Sequence, residues 1–314
     1  MEYKDMKIIL REDEKLLYAL RTLFRQYGYR SFRMSKFEKY EFYAGNKDFL
    51  VSDRVITFTD TDGELLALKP DVTLSIVRGT DYHPGQKEKL CYQENVYRPS
   101  GSSGRFREIM QAGLECIGDL NSDDVSEVLL LAEKSLNAIS EENALCVSHL
   151  GIFEGMLSAL GAGPGDREEV LKLVAQRNIH ELEALFARKN WDSSILLEIR
   201  DLLNLDCSLS ELPKKLRRLD HGLVTQSVLE EIEALEGFGC ENTRFDFSVI
   251  NNVHYYNGIV FQGFVRGVSE KVLSGGQYGA LLRRMGRKGE AIGFALYFGV
   301  LEQLEKFRGG GAHA

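Results

Sequence analysis

The segment that most restricts the fold of this 314-residue chain is residues 90–118, two β-prone arms around a short loop. The loop, 99–104, contains one proline, two glycines and three serines, which exclude a helix there. The return arm places Gln111, Gly113 and Glu115 at alternate positions, so they share one face of a strand. The sequence therefore predicts a β-hairpin with one polar and one apolar face.

The polar face of this hairpin has more than one interpretation. Solvent could cover it, or a ligand or another backbone could approach closely at Gly113, where a strand-interior glycine can also mark a bulge. Arginines bracket the loop, and a guanidinium suits phosphate or carboxylate better than an ammonium does. These arginines are Arg98, Arg105 and Arg107.

Composition indicates an ordinary soluble globular protein, because 44% hydrophobic residues support a sizeable core. The net charge of −8 argues against tight nucleic-acid binding through a basic surface. Five widely spaced cysteines, with no CxxC pair, predict buried reduced thiols and no metal site. No apolar run reaches the roughly 18 residues of a membrane span, and no secretory signal is present, so we expect a cytoplasmic location.

The remaining chain mixes helix and hairpin signals. Apolar spacing predicts a helix over 13–27 with Gly28 as its C-cap, and a second hairpin joins 54–58 to 64–68. Asp71 stands where a residue would cap a following helix. Later predictions are a helix over 125–139, a strand over 144–150, helices over 153–238 broken by 161–165 and Pro213, strands over 245–250, 255–265 and 270–273, and a strand passing into a helix over 291–304. This order lacks a regular βαβ alternation and favours an α+β fold on an antiparallel sheet.

Five segments, in order, resemble the histidyl-tRNA synthetases of class II. GRFREIMQAGLECIG resembles motif 2, and AIGFALYFGVLEQL resembles motif 3. LALKPDVTLSIVR resembles the segment that binds the amino acid's ammonium group, HYYNGIVFQGF the histidine-specific tyrosine motif, and LSGGQYGALLRRMG the glycine-rich segment after it. The resemblance covers residues 12–304.

The resemblance implies a domain organisation. Residues 1–150 and 240–308 would form a class II aminoacyl-tRNA synthetase-like core, an antiparallel sheet flanked by helices, with 151–239 as a helical insertion and 309–314 as a flexible tail. An anticodon-binding domain of roughly 100 residues, an ordinary domain size, is not expected after residue 314. We therefore expect no tRNA binding.

The resemblance also implies a histidine-binding pocket. Its residues would be Asp71, Thr73, Arg98, Gln111, Glu115, Tyr255, Tyr256 and Tyr278. Asp71 and Thr73 would meet the ammonium group, with Asp71 replacing the usual glutamate, and the tyrosines would shape the imidazole pocket. Such a set suits the ligand, since carboxylates bind an ammonium or imidazole proton and aromatic rings hold a flat heterocycle. No cofactor is implied.

Departures from the synthetase pattern affect the residues that bind ATP. Asn251 stands in place of an arginine, Gly299 and Val300 replace the motif 3 glutamate and arginine, and the motif 2 Arg-x-Glu pair is reduced to Arg98, Pro99 and Ser100. Nucleotidyl transfer depends on preorganised positive charge around the phosphates. We therefore expect no catalysis by this chain.

A synthetase fold that keeps its amino-acid pocket without these cations resembles the ATP phosphoribosyltransferase regulatory subunits of histidine biosynthesis. The resemblance implies a non-catalytic subunit that assembles with the short-form catalytic phosphoribosyltransferase, is needed for its activity, and conveys feedback inhibition by L-histidine. It also implies self-association as a dimer within a hetero-oligomer. Histidine would act allosterically by binding one quaternary state better than another.

Two alternatives from other classes remain open. One is a divergent adenylate-forming ligase that binds ATP through Arg98, Arg105, Arg107 and Arg283 or Arg284. The other is a scaffold that dimerises through 32–43 and binds nothing, although a buried Glu115 is costly to keep without a partner.

Three further features favour structural interpretations. His149, His221 and His254 are isolated histidines, and we predict no catalytic role for them. GGQYG is predicted to lack the strand and helix of a dinucleotide loop, its glycines allowing close packing around Tyr278. RRMGRKG is predicted to be a solvated basic turn.

Overall fold

A computed structural model describes residues 10–50, 52, 54–80, 85–99, 104–219, 224–235, 242–250, 255–301 and 304. Its helices are α1 (Glu12–Gln26), α2 (Tyr40–Ala44), α3 (Val72–Gly79), α4 (Ser122–Ile139), α5 (Leu150–Ala159), α6 (Pro164–Ala175), α7 (Ile179–Lys189), α8 (Ser193–Leu203), α9 (Leu212–Leu219), α10 (Gln226–Glu233) and α11 (Gly279–Arg284). Its strands are β1 (Arg30–Ser31), β2 (Phe37–Lys39), β3 (Thr57–Thr59), β4 (Leu65–Leu68), β5 (Lys87–Pro99), β6 (Phe106–Gly118), β7 (Asn143–His149), β8 (Cys207–Ser208), β9 (Thr243–Phe245), β10 (Ile259–Val265), β11 (Leu273–Gln277) and β12 (Glu290–Tyr297). Within these ranges no helix is both long and apolar enough to cross a lipid bilayer.

A nine-stranded sheet organises the described residues, in the order β1-β5-β6-β12-β11-β10-β7-β9-β8. Its central neighbours are antiparallel, as predicted. Two outer pairings, β1 with β5 and β7 with β9, are parallel, so the sheet is mixed. Long connections that contain helices join the strands of each parallel pair, because a tight turn cannot bring parallel neighbours together.

The predicted polar-faced hairpin is confirmed as β5 and β6. Tyr92 pairs with Gly113 and Glu94 with Gln111 across it. Leu114 is fully buried in the larger of two hydrophobic clusters. Since neighbouring strand residues point to opposite faces, Gln111 and Gly113 lie on the other face.

Helices cover the apolar face of the central sheet. The predicted N-terminal helix is confirmed as α1, with acidic residues in its first turn and Gly28 beyond its end at a φ of 86°. The next long helix, α4, begins at a capping box between Asn121 and Asp124. α1 and α4 contact each other, and their apolar faces join the larger cluster.

The helical pattern predicted after β7 is present as α5 to α10. Residues 160–163 separate α5 from α6, and Pro164 is the first residue of α6, where its missing N–H costs nothing. Pro213 was predicted to break a helix, yet it lies in the first turn of α9. The interruption before α9 is instead β8, which pairs with β9 of the main sheet.

Several strand boundaries differ from the sequence prediction. The strand predicted over 245–250 ends at Phe245, because the Asp246 carboxylate accepts hydrogen bonds from Ser248 and forms an Asx-type turn. The strand predicted over 270–273 begins only at Leu273. The second hairpin is confirmed as β3 and β4, and the unpredicted strand β2 joins it in a small sheet ordered β2-β4-β3.

Candidate functional site

A pocket lies between the polar face of the main sheet and the N-terminal end of α3. Its empty space, including the open mouth, is about 580 Å³. The residues predicted to bind histidine all line it, although they come from separate parts of the chain. They are Asp71, Thr73, Arg98, Gln111, Glu115, Tyr255, Tyr256 and Tyr278.

Glu115 places a buried carboxylate in this pocket. It accepts a hydrogen bond from the Thr73 hydroxyl at 2.8 Å and another from the Tyr278 hydroxyl at 2.7 Å. Burial raises the pKa of Glu115 to about 8, although both hydrogen bonds favour the charged form. The negative charge of Asp71 raises this pKa further. A cationic group in the pocket would stabilise the carboxylate that burial disfavours.

Asp71 uses its two carboxylate oxygens for different tasks. Oδ1 accepts from the backbone N–H of Leu74 at 2.9 Å, which confirms its predicted capping role at α3. Oδ2 lies 3.3 Å from the Arg98 guanidinium. Arg98 also donates through Nε to the Pro70 carbonyl, so two contacts hold the guanidinium at the pocket wall.

A buried ion pair fixes the segment that carries Asp71. The Lys69 side chain is fully buried and its Nζ lies 2.8 Å from the Glu94 carboxylate on β5. The Tyr97 N–H donates to the Lys69 carbonyl at 2.9 Å, so backbone and side chain bind the same strand. These contacts hold Asp71 next to the sheet.

Aromatic rings form one wall of the pocket. The ring centroids of Tyr255 and Tyr278 are 5.4 Å apart, and those of Tyr255 and Tyr256 are 4.7 Å apart. Phe49 also contacts Tyr255, at 6.2 Å. Such a wall offers apolar faces to a flat heterocycle.

Gln111 contributes a side-chain amide to the pocket. It is 2% exposed and lines the pocket. No described residue forms a hydrogen bond with its side chain. The amide lies at the surface of the pocket, where a polar ligand would hydrogen-bond to it.

Sequence reasoning missed several lining residues, including Phe49, Tyr92, Ser274, Gly293 and Tyr297. In the sequence, Tyr92 has the pattern of an apolar residue in a buried strand. Gly293 and Tyr297 belong to the apolar run of β12, which shows no polar face. The one available signal was strand alternation, since residues 293, 295 and 297 all line the pocket.

Gly113 permits a close approach, as one of its interpretations predicted. A Cβ atom there would lie 2.1 Å from the Phe294 carbonyl oxygen and 2.6 Å from the Tyr92 hydroxyl. Gly293 plays a similar part, since a Cβ atom would lie 1.7 Å from a Glu115 carboxylate oxygen. Both glycines therefore make room for side chains of the pocket.

The remaining arginines predicted for a ligase are placed outside the pocket. Arg283 pairs with Glu290 at 2.8 Å, and Arg284 pairs with Asp48 at 2.8 Å. Arg105 and Arg107 are exposed at the tip of the β5–β6 hairpin. The predicted basic turn is thus partly neutralised by neighbouring carboxylates.

The motif 3 departures also lie away from the pocket. Gly299 is exposed, and Val300 packs against the larger hydrophobic cluster. Asn251, Ser100, His221 and His254 fall outside the described residues. The described part of the chain contains no group of three or more His, Cys, Asp or Glu side chains that could hold a metal ion.

His149 and the GGQYG segment have structural contacts. His149 Nδ1 accepts from the Gly151 N–H at 3.1 Å, and Nε2 lies 3.0 Å from the Glu231 carboxylate of α10. GGQYG was predicted to lack a neighbouring strand and helix, which is wrong, because it runs from β11 into α11. Its glycines pack closely, but Gly275 adjoins Phe261 and Gly276 adjoins Tyr256 rather than Tyr278.

Comparison with known sequences identifies relatives over most of the chain. The family model described as histidyl-tRNA synthetase matches residues 9–301. An ATP phosphoribosyltransferase regulatory subunit from Caldanaerobacter subterraneus is 32% identical over 286 residues, covering 88% of this chain and 74% of that protein. A protein of the same name from Clostridium kluyveri is 29% identical over 301 residues, covering 91% and 76%.

Solved structures share the fold. An ATP phosphoribosyltransferase regulatory subunit/histidyl-tRNA synthetase from Bacillus halodurans superposes with a TM-score of 0.79 at 24% identity, covering 92% of this chain and 78% of that one. A chain of the ATP phosphoribosyl transferase (HisG:HisZ) complex from Thermotoga maritima superposes with a TM-score of 0.73 at 23% identity, covering 92% and 98%. The predicted class II synthetase-like fold is therefore confirmed.

Proposed function

This chain belongs to the histidyl-tRNA synthetase family and, within it, to the ATP phosphoribosyltransferase regulatory subunits, and we propose that its pocket is a sensor for L-histidine. The protein carries out no catalysis of its own. It assembles with a short-form catalytic phosphoribosyltransferase and transmits feedback inhibition by histidine to that subunit. A dimer of this chain forms the symmetric centre of the assembly.

The observation that carries this proposal is the convergence of complementary groups on one pocket. Asp71 and Glu115 offer negative charge to an ammonium or imidazole proton, and Arg98 offers positive charge to a carboxylate. The Gln111 amide has free hydrogen-bonding capacity beside them. An amino acid with a flat aromatic side chain matches this combination of charges, amide and tyrosine wall.

Regulation follows from differential binding. Histidine can shift a quaternary equilibrium only by the difference in its affinity for two states, and such coupling is typically about 1–3 kcal/mol. Residues of the pocket come from β5, β6, β12 and the start of α3. Closure of these elements around histidine would provide the difference between the two states.

The ligase alternative receives little support from the described arginines. Arg283 and Arg284 already pair with carboxylates, and only Arg98 of the proposed ATP-binding set lines the pocket. Phosphoryl chemistry needs several preorganised cations around the same phosphates. The scaffold alternative leaves the buried carboxylate of Glu115 and the unpartnered Gln111 amide without a purpose.

Titration calorimetry of the purified chain with L-histidine and, separately, with ATP tests the proposal. We expect histidine to bind and ATP not to bind. Glu115→Gln should weaken histidine binding by at least about tenfold, because a charge-assisted hydrogen bond contributes about 1.5–3 kcal/mol. Glu108→Gln is the matched control, since Glu108 is an exposed glutamate of the same strand on its opposite face.

The second step adds a short-form catalytic phosphoribosyltransferase. Histidine should inhibit the enzyme assembled with the wild-type chain or with Glu108→Gln. Inhibition of the enzyme assembled with Glu115→Gln should require a higher histidine concentration. ATP binding with pyrophosphate release by the chain alone would establish the ligase instead. If neither ligand bound the chain or the assembly, the scaffold would be the correct function.

A further inference from the structure

The pocket has two ends, defined by the paired strands β6 and β12. Glu115 is in register with Gly293 at one end, and Gln111 is in register with Tyr297 at the other. Four residues separate the ends along each strand, which corresponds to about 13 Å at ~3.3 Å per residue. At the Glu115 end, the hydroxyls of Thr73 and Tyr278 donate hydrogen bonds to the Glu115 carboxylate.

Tyr297 occupies the wall of the Gln111 end. It is the last residue of β12, and its backbone N–H donates to the Val272 carbonyl at 2.9 Å. Ser274, which pairs with Ala295 in the neighbouring strand, lines the same pocket. Because the backbone of Tyr297 is fixed in the sheet, the ring can leave the wall only by a change of side-chain rotamer.

The positive charge in the pocket also lies towards this end. Burial raises the pKa of Tyr297, and the neighbouring Arg98 guanidinium opposes that increase. On β5, Arg98 lies four residues beyond Glu94, the partner of Gln111, in the direction away from the Glu115 end. A ligand carboxylate that meets Arg98 would therefore lie towards the Gln111 end, where Tyr297 lines the pocket. Any group attached to that carboxylate would need the volume that Tyr297 fills.

We propose that Tyr297 is a specificity-determining residue that closes the Gln111 end of the pocket, so that the site accepts an amino acid with a free carboxylate and rejects one whose carboxyl carries a bulky group. This inference rests on the proposed function, because it takes histidine as the ligand. It adds a physical reason why the pocket selects free histidine over acylated derivatives such as an adenylate. Rejection by a steric clash is an efficient source of specificity, because it penalises only the competitor.

Competition between two ligands tests this role. One is L-histidine, and the other is histidyl sulfamoyl adenosine, in which the histidine carboxyl carries a nucleoside through a stable sulfamate. The measured quantity is the ratio of the two Kd values for each variant. For the wild type we expect the analogue to bind at least about 100-fold more weakly than histidine, since a steric clash with the ring penalises only the analogue.

Substitutions at Tyr297 should change this ratio in a size-dependent manner. Tyr297→Gly and the less severe Tyr297→Ser should each lower it at least about tenfold, because they open the end of the pocket. Tyr297→Phe keeps the ring and should keep the wild-type ratio. A wild-type protein that binds both ligands equally, or a ratio that Tyr297→Gly and Tyr297→Ser leave unchanged, would overturn the inference while the histidine sensor stands. A wild-type protein that binds no histidine would overturn the proposed function itself.

Discussion

At Glu115, burial and ligand recognition make opposite demands on one carboxyl group. The proposed ligand needs the charged form, whereas removal from water favours the neutral form. The two hydroxyl donors from Thr73 and Tyr278 reduce this conflict but do not remove it, since the pKa stays raised to about 8. The unliganded pocket therefore holds a proton that a cationic ligand would displace.

This raised pKa predicts a pH-dependent stability. Because the folded protein keeps the Glu115 proton up to about pH 8 while the unfolded chain loses it near its ordinary pKa of 4.5, the stabilising contribution is present at low pH and is lost as pH rises between these values. Relative to Glu115→Gln, the wild type should lose a few kcal/mol between pH 5 and pH 8, at about 1.4 kcal/mol per pKa unit. Urea denaturation of both proteins across this range measures the difference.

Subtracting the free energy of unfolding of Glu115→Gln from that of the wild type cancels the pH dependence that all other titrating groups contribute. Glu108→Gln provides the control, because Glu108 is an exposed glutamate of the same strand and does not line the pocket. A parallel pH profile for wild type and Glu115→Gln would show that Glu115 is charged in the free protein.

Pocket residues could be predicted from the sequence wherever a strand alternates polar and apolar side chains. Gln111 and Glu115 stand out in β6 because each lies between apolar residues. Tyr297 could not be found in this way, since β12 is covered on both faces and its sequence is apolar at nearly every position. Tyr92 was hidden for the same reason, as an aromatic ring against a core and one against a ligand have the same sequence pattern.

At the scale of elements, the close packing of β5, β6 and β12 depends on Gly113. Gly113→Ala would place a Cβ atom within 2.1 Å of the Phe294 carbonyl, which is backbone and cannot rotate away. The strands must separate, and we expect a loss of about 1–3 kcal/mol in the free energy of unfolding, as for other overpacked sites. Urea denaturation midpoints at constant m-value give this quantity.

The matched control for this substitution is Gly165→Ala. Gly165 lies near the start of α6 with open space around its Cβ position, so alanine there should be neutral or stabilise by up to about 1 kcal/mol. Equal stability of Gly113→Ala and wild type would mean that the strands tolerate the extra atom, and the close approach would then have no energetic importance.

Whether a segment forms a helix or a strand was easier to predict than the residue at which it ends. Apolar spacing was sufficient for α1 and α4, whose sequences have one continuous apolar face. The end of β9 at Phe245 could not be read from the apolar run that continues past it, because the side chain of Asp246 binds both Ser248 and Arg177 of a distant helix connection. Tertiary contacts of this kind leave no local periodicity.

For the molecule as a whole, the sheet and the helices α5 to α10 share one hydrophobic cluster. Leu114 of β6 and Leu185 of α7 both belong to it and are at most 1% exposed. His149 adds a polar link to α10 through Glu231. A division of the chain into core and insertion, as the sequence suggested, therefore does not correspond to separate hydrophobic clusters.

A common core predicts that the chain unfolds in one cooperative transition. Leu114→Ala and Leu185→Ala should each lower the free energy of unfolding by about 2–5 kcal/mol, the usual cost of a cavity, and should move the entire thermal transition rather than part of it. Differential scanning calorimetry with circular dichroism detects this, and Leu197→Ala, at a 58% exposed leucine of α8, should change the midpoint little.

If Leu185→Ala shifted only one of two resolved transitions, α5 to α10 would be an independent folding unit. Histidine, the proposed ligand of the folded pocket, should then protect the transition that contains β6 and leave the other unchanged. In a single cooperative unit it should raise the one midpoint by an amount that grows with its concentration.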